Sequence, residues 1–434
     1  MMKHNLKAFL AAAIIMTATV AQATGLQPEK PKKATSAIVD GINYKLDAKN
    51  QKAKIIAGTN LYSGSINIPE KFEEDSVVYY VEEIDGGAFK DCVTLTDITI
   101  PTTVMKIGAE AFKNCTSLES ITIPNSVLEL KASTFEGCSS LQTVIMHNAL
   151  TNLGAALFKR CTSLQTISIP DGIKALPANI FFGCSSLRGV AIPSTVTKIG
   201  NSAFEDCSSL TQLPLPNSIK EIGAEAFKNC SALTRFAFTS SMTSIPADCF
   251  ENCTSLTDVK ITNSISEIKN SAFRACTSLD SIFIPNAVRS LGNGLFEGCS
   301  NLRTVNLPSG ISSIPSKLFR DCSSLETITI PSSVKEINGD AFNGCGSLDN
   351  LDIPSSVTEI GGSAFDNCPS LMTVIVRSGT PAKIKKDSFS KQFQKEGTLY
   401  VPSPSAYRNN PKLPWSNFRN VYSIKKMTEK EDEW

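Results

Sequence analysis

Apolar positions along this chain repeat with a period of 23 residues, far longer than the period of any single helix or strand. Thirteen cysteines mark it without interruption: Cys92, Cys115, Cys138, Cys161, Cys184, Cys207, Cys230, Cys253, Cys276, Cys299, Cys322, Cys345 and Cys368. Three residues before each stands a phenylalanine, from Phe89 and Phe112 to Phe365. Three residues after each stands a leucine, from Leu95 and Leu118 to Leu371. Further apolar columns fall six, eight, twelve and fifteen residues after the cysteine, as at Ile98, Ile100, Val104 and Ile107. A proline closes most copies of the "LxxIxI" run, as at Pro101, Pro124 and Pro331. That run alternates like a short strand with one buried face. The "xxAFxxC" run has helical spacing, which puts Phe and Cys on one side of a short helical turn. A unit of this size has too few apolar side chains to enclose a core alone, whereas stacked copies share a continuous one. Equivalent residues then form columns spaced by roughly 4.8 Å, the distance between paired strands.

The consensus "LxxIxIPxSVxxIGxxAFxxC" resembles the leucine-rich repeat of the BspA-like surface proteins of anaerobic Gram-negative bacteria, over about Ile66 to Pro402. Where the commoner leucine-rich pattern has Asn or Cys after the strand, this chain has Thr103, Ser126, Thr195 and Ser333, so the familiar asparagine ladder is missing. The resemblance implies a leucine-rich repeat solenoid, with short parallel strands and short helical turns. It also implies adhesion to host matrix proteins, host receptors or other bacteria.

The ends depart from the period, as terminal repeats should. Residues 1–23, with Lys3 and Lys7 ahead of an apolar run and "AQA" at its end, read as a secretory signal peptide. Residues 24–65 read as a linker and N-terminal cap. Residues 66–402 read as the solenoid, thirteen regular coils with a degenerate one at each end. Residues 403–434 read as a C-terminal cap, with Trp415 and Phe418 over the last coil, followed by a tail. The segment "EKFEEDSVVYYVEE" adds nine residues to the period, which predicts a protruding hairpin or loop carrying Tyr79 and Tyr80. No stretch of the mature chain is long and apolar enough to span a bilayer. Removing the two signal-peptide lysines from the 42 basic residues leaves a net charge of −1 against 41 acidic ones, which points to neither nucleic acid nor an anionic membrane. The expected location is the cell surface or the extracellular space, with the periplasm as the alternative.

The cysteine column admits four readings. Neighbouring Cα atoms roughly 4.8 Å apart are close enough for disulfides, but parallel Cβ vectors leave the side chains too far apart without distortion. Metal ligation lacks close CxxC pairing and has one histidine to draw on, His147. Nucleophilic catalysis needs a base beside the thiol, and a column of thirteen cannot all be catalytic. The remaining reading is a small buried hydrophobe packed beside Phe. Cys249 falls in a slot that is alanine elsewhere and reads the same way.

No "GxSxG" elbow, phosphate loop or paired carboxylate motif emerges, so the chain reads as a non-enzyme without cofactor or metal. Recognition is the better candidate. Outward strand positions, five and seven residues after the cysteine, are mostly Thr or Ser. Around the middle they change: Arg235, Lys260 and Phe283 fall at equivalent outward positions of three successive coils, with Asp258 beside Lys260. An exposed Phe beside cations resembles a protein-binding hot spot. The sequence thus predicts a secreted or surface module that binds a protein partner through its ladder face. A structural spacer without a dedicated ligand is the alternative.

Overall fold

Each 23-residue unit closes one coil with three sides, and the coils stack in register. The computed structural model describes residues 34–409 and 414–426. The predicted signal peptide, the start of the linker and most of the tail lie outside them. The first side is the strand ladder predicted from "LxxIxI", with segments such as Ser120–Thr122 and Thr143–Ile145 pairing in parallel. The second side is a ladder of two-residue strands, for example Lys106–Ile107, Glu129–Leu130 and Asn152–Leu153, again parallel and one period apart. Its second residue points inward in coil after coil, because alternation puts one side chain of each pair in the core.

The third side is the "xxAFxxC" corner, and it differs from the helical expectation. It carries single-turn bonds, such as the Cys115 N–H to the Phe112 carbonyl at 3.1 Å, but every second N–H reaches the next coil instead, as Phe112 N–H does to the Thr134 carbonyl at 2.9 Å. Two residues per corner hold left-handed backbone, five and one before the cysteine: Glu110 (φ 57°) and Asn114 (φ 59°) in one coil, Glu225 and Asn229 (both φ 60°) in another. The left-handed turns aim alternate amides along the solenoid axis. The last of these positions is held by Gly, Asn or Asp in most coils, the residues that tolerate such backbone best. Ala275 (φ 55°) is an exception. Ala275→Gly should therefore stabilise the fold by up to about 1 kcal/mol, visible as a higher urea midpoint at unchanged slope. An unchanged or lower midpoint would refute the strain argument. Glycine in the motif "IG" has a different cause, since a Cβ on Gly200 would lie 2.5 Å from the amide nitrogen of Ala178.

The core runs the length of the solenoid. Phenylalanine rings stack face to face from Phe89 to Phe365 with centroids 5.1–5.9 Å apart, all fully buried. Tyr62 covers the N-terminal end of the stack with its ring tilted 51° against Phe89 at 4.9 Å, and Phe389 continues the stack at the other end. Trp415 and Phe418 pack on Phe389, and the Trp415 indole N–H donates to the Ala382 carbonyl at 2.7 Å. Phe393, on the helix Lys391–Glu396, packs beside Phe389 and Phe418.

At the N-terminal end the strands Ser36–Val39, Ile42–Asp47 and Lys52–Ile55 form an antiparallel meander. The inserted segment is a hairpin, Lys71–Glu74 with Val77–Ile84, whose second strand runs on into the two-residue ladder. The hairpin buries Tyr79 fully, against Phe72, and leaves Tyr80 exposed. Among the described residues no helix is long and apolar enough to cross a membrane.

Candidate functional site

All fourteen cysteines are free and buried. Their column is more than filler. From Cys115 to Cys368, each column thiol donates to the carbonyl of the phenylalanine one coil back, as Cys115 to Phe89, Cys230 to Phe204 and Cys368 to Phe342, each at 3.1 Å. That carbonyl already accepts the cysteine N–H of its own coil, so both its lone pairs are used. Burial pushes the Cys184 and Cys299 thiols up to about 12 and those of Cys161, Cys207, Cys253 and Cys276 well above the usual thiol range. A buried, protonated thiol is a poor nucleophile and a poor metal ligand. Among the described residues no cluster of three His, Cys, Asp or Glu could hold a metal ion.

The serines and threonines that replace the asparagine ladder do comparable work. Thr195 donates to the Ile173 carbonyl at 2.9 Å and Ser218 to the Val196 carbonyl at 2.7 Å, each one coil back. A short amide ladder exists at the turn corner instead, where Asn252 donates to Asn229 at 2.9 Å and Asn229 to Asp206 at 2.8 Å.

Charges separate the faces. Along the turn corner, acid and base alternate from coil to coil and pair with one another: Lys228 with Glu251 at 2.9 Å, Glu251 with Arg274 at 3.3 Å, Arg274 with Glu297 at 3.7 Å and Glu297 with Arg320 at 3.8 Å. On the strand ladder, Arg235, Asp258 and Lys260 are exposed and join no ion pair among the described residues. The strand Arg235–Ala237 pairs with Asp258–Lys260, which sets Arg235 beside Asp258 and Ala237 beside Lys260. Phe283, in Ser281–Phe283 of the following coil, is 62% exposed. The three residues are thus not equivalent: Arg235 and Asp258 share the outward position five after the cysteine, Lys260 and Phe283 the one seven after. Beneath them Phe236 and Phe238 are buried against Phe250, at 4.7 and 5.9 Å between centroids. Thr239, in the proline slot, is buried and donates to the Ile219 carbonyl at 2.7 Å.

Sequence reasoning missed Pro214. It occupies the second outward position of its coil, where it has no N–H to give, and residues 211–216 form no strand. A shallow groove of about 400 Å³ opens there, lined by Pro214, Arg235, Asp258 and Lys260. Further concavities continue it along the same ladder, one over Ile145, Gly189 and Ala191 and another over Asp258, Phe283 and Asn306.

A family model described as "BspA type Leucine rich repeat region (6 copies)" matches residues 82–211, 174–303 and 266–396. The chain is 30% identical to a leucine-rich repeat protein from Bacteroides ovatus ATCC 8483, whose crystal structure aligns with a TM-score of 0.70 over 80% of this chain and 99% of that one. It is 29% identical to a leucine rich cell surface protein from Faecalibacterium prausnitzii A2-165, with a TM-score of 0.57 over 80% of this chain and 96% of that one. No curated protein matches the chain.

Proposed function

The chain belongs to the BspA type leucine-rich repeat family, and from that premise we propose that it is an exported surface module that binds a protein partner through its strand ladder. The carrying observation is a local contrast: over the middle coils the turn-corner column from Lys228 to Arg320 pairs its own charges, while Arg235, Asp258 and Lys260 stand unpaired beside an exposed Phe283. An exposed ring next to desolvatable cations is the composition of an interface hot spot. A ladder of thirteen coils, roughly 60 Å long by strand spacing, offers ample area for a standard interface. The cell-surface description of the Faecalibacterium relative supports the location. Adhesion is the biological role this family membership favours.

The test is a binding screen of the chain from Thr24 onward against matrix proteins, bacterial surface proteins and glycans. A saturable protein ligand should emerge, and Arg235→Ala and Phe283→Ala should each weaken it about tenfold, roughly 1.4 kcal/mol. Binding untouched by both changes would move the site off the middle coils. An ordered particle that binds nothing would leave a structural spacer as the better account.

A further inference from the structure

We infer that the segment recognised by the ladder is an acidic polypeptide lying along the solenoid axis, with carboxylates about 10 Å apart and an apolar side chain at one end. The inference rests on the ladder-face reading and adds the chemistry of the partner. Its floor is made of small residues. Gly189, Ala191, Pro214 and Ala237 present little side chain, and a Cβ built on Gly189 meets nothing within 4 Å. A partner backbone can therefore come close over three successive coils.

The rim is basic. Arg188, Arg235 and Lys260 are exposed and join no ion pair among the described residues. Further along the solenoid, cations beside the ladder carry their own acids: Arg303 meets Glu326 at 3.2 Å and Arg377 meets Asp352 at 2.7 Å. Two acids, Asp258 at the groove and the exposed Asp280 in the coil of Phe283, lie among the three unpaired cations and form no ion pair with them among the described residues. Arginine's planar fork binds carboxylates in bidentate fashion, so two unengaged forks select for acids.

Spacing sets the partner's geometry. Arg188, Arg235 and Phe283 lie two coils apart, roughly 10 Å along the axis by strand spacing, and step from four to five to seven residues after the cysteine, so the line through them runs obliquely across the strands. Three residues of extended chain span about the same distance. A polyuronate carries a carboxylate on every sugar and would find an apolar ring where its charge continues. A peptide can end an acidic run on an apolar side chain, which suits Phe283.

Fluorescence anisotropy on the full chain tests this with a labelled peptide, Glu-Gly-Gly-Glu-Gly-Gly-Phe. Comparators are its Gln-for-Glu analogue and polygalacturonate. The acidic peptide should bind, its Gln analogue at least tenfold more weakly, and added salt should weaken the acidic peptide alone. Arg235→Gln should cost about tenfold, while Arg303→Gln, whose arginine already has an acid, should cost nothing. Equal, salt-insensitive binding of both peptides that Phe283→Ala abolishes would overturn the acidic partner and leave the ladder reading standing. Binding indifferent to both Arg235→Gln and Phe283→Ala would overturn both. Tighter binding of polygalacturonate would overturn the polypeptide class, and no peptide binding at millimolar concentration would overturn the inference outright.

Discussion

Between pH 9 and pH 10 the protein should unfold, and the thiol column is the reason. In the folded chain the ten thiols from Cys161 to Cys345 are held protonated, chiefly by burial, with Cys184 and Cys299 near 12 and the others also raised. In the unfolded chain they ionise near the ordinary value of about 8.5. Above that pH the native state binds more protons than the unfolded one, so stability falls as pH rises. The stabilisation is complete below the unfolded value and is progressively lost on the way to the folded one. At pH 9.5 each thiol costs about 1.4 kcal/mol by this linkage. Ten of them cost on the order of 14 kcal/mol, as much as the whole stability of a typical domain. Ionisation also removes the hydrogen that each column thiol gives to a phenylalanine carbonyl. Far-ultraviolet circular dichroism and thiolate absorbance, followed from pH 7 to pH 11 under a reductant, should change together. A chain still folded at pH 10.5 would refute the account.

The same thiols show where a sequence stops being legible. The period, the strand ladder and the phenylalanine column were plain because each is repeated thirteen times, and chance does not keep a column apolar for so long. The thiol's hydrogen bond was not, since burial and donation require the same residue and the pattern displays burial alone. The left-handed corner left a visible trace, Asn114, Gly137, Asp206, Asn229 and Asn252 each one before a cysteine. It is a polar trace with no periodic hydrophobic signal, so helical spacing won. In the inserted hairpin, two adjacent tyrosines fit either parity of a strand. Pairing with Lys71–Glu74 decides that Tyr79 goes in and Tyr80 out.

The candidate site was legible in its residues and misread in its arrangement. Arg235, Asp258, Lys260 and Phe283 were found because they break a Thr and Ser background. The place of Arg235 beside Asp258 follows from strand register. The groove follows from a missing donor at Pro214, an absence that reads in sequence as a tolerated substitution.

Replacing Phe158 by alanine should cost about 3–5 kcal/mol, the usual range for emptying a buried aromatic site. The ring is fully buried between Phe135 and Phe181, at 5.7 and 5.8 Å between centroids. Its neighbours cannot close the gap, because each is held in its own coil by backbone bonds on both sides, as Phe135 is by its N–H to the Leu157 carbonyl. The consequence should exceed simple destabilisation. A solenoid holds together through nearest-neighbour interfaces, so a void in one coil weakens coupling between the coils on either side. Urea unfolding followed by circular dichroism should show an earlier onset and a shallower or split transition. Phe158→Leu, which refills most of the volume, should recover more than half of the loss and restore one transition. Were Phe158→Ala to cost under about 1 kcal/mol with a single unchanged slope, the aromatic column would be ornament, and cohesion between coils would have to come from the backbone ladders alone.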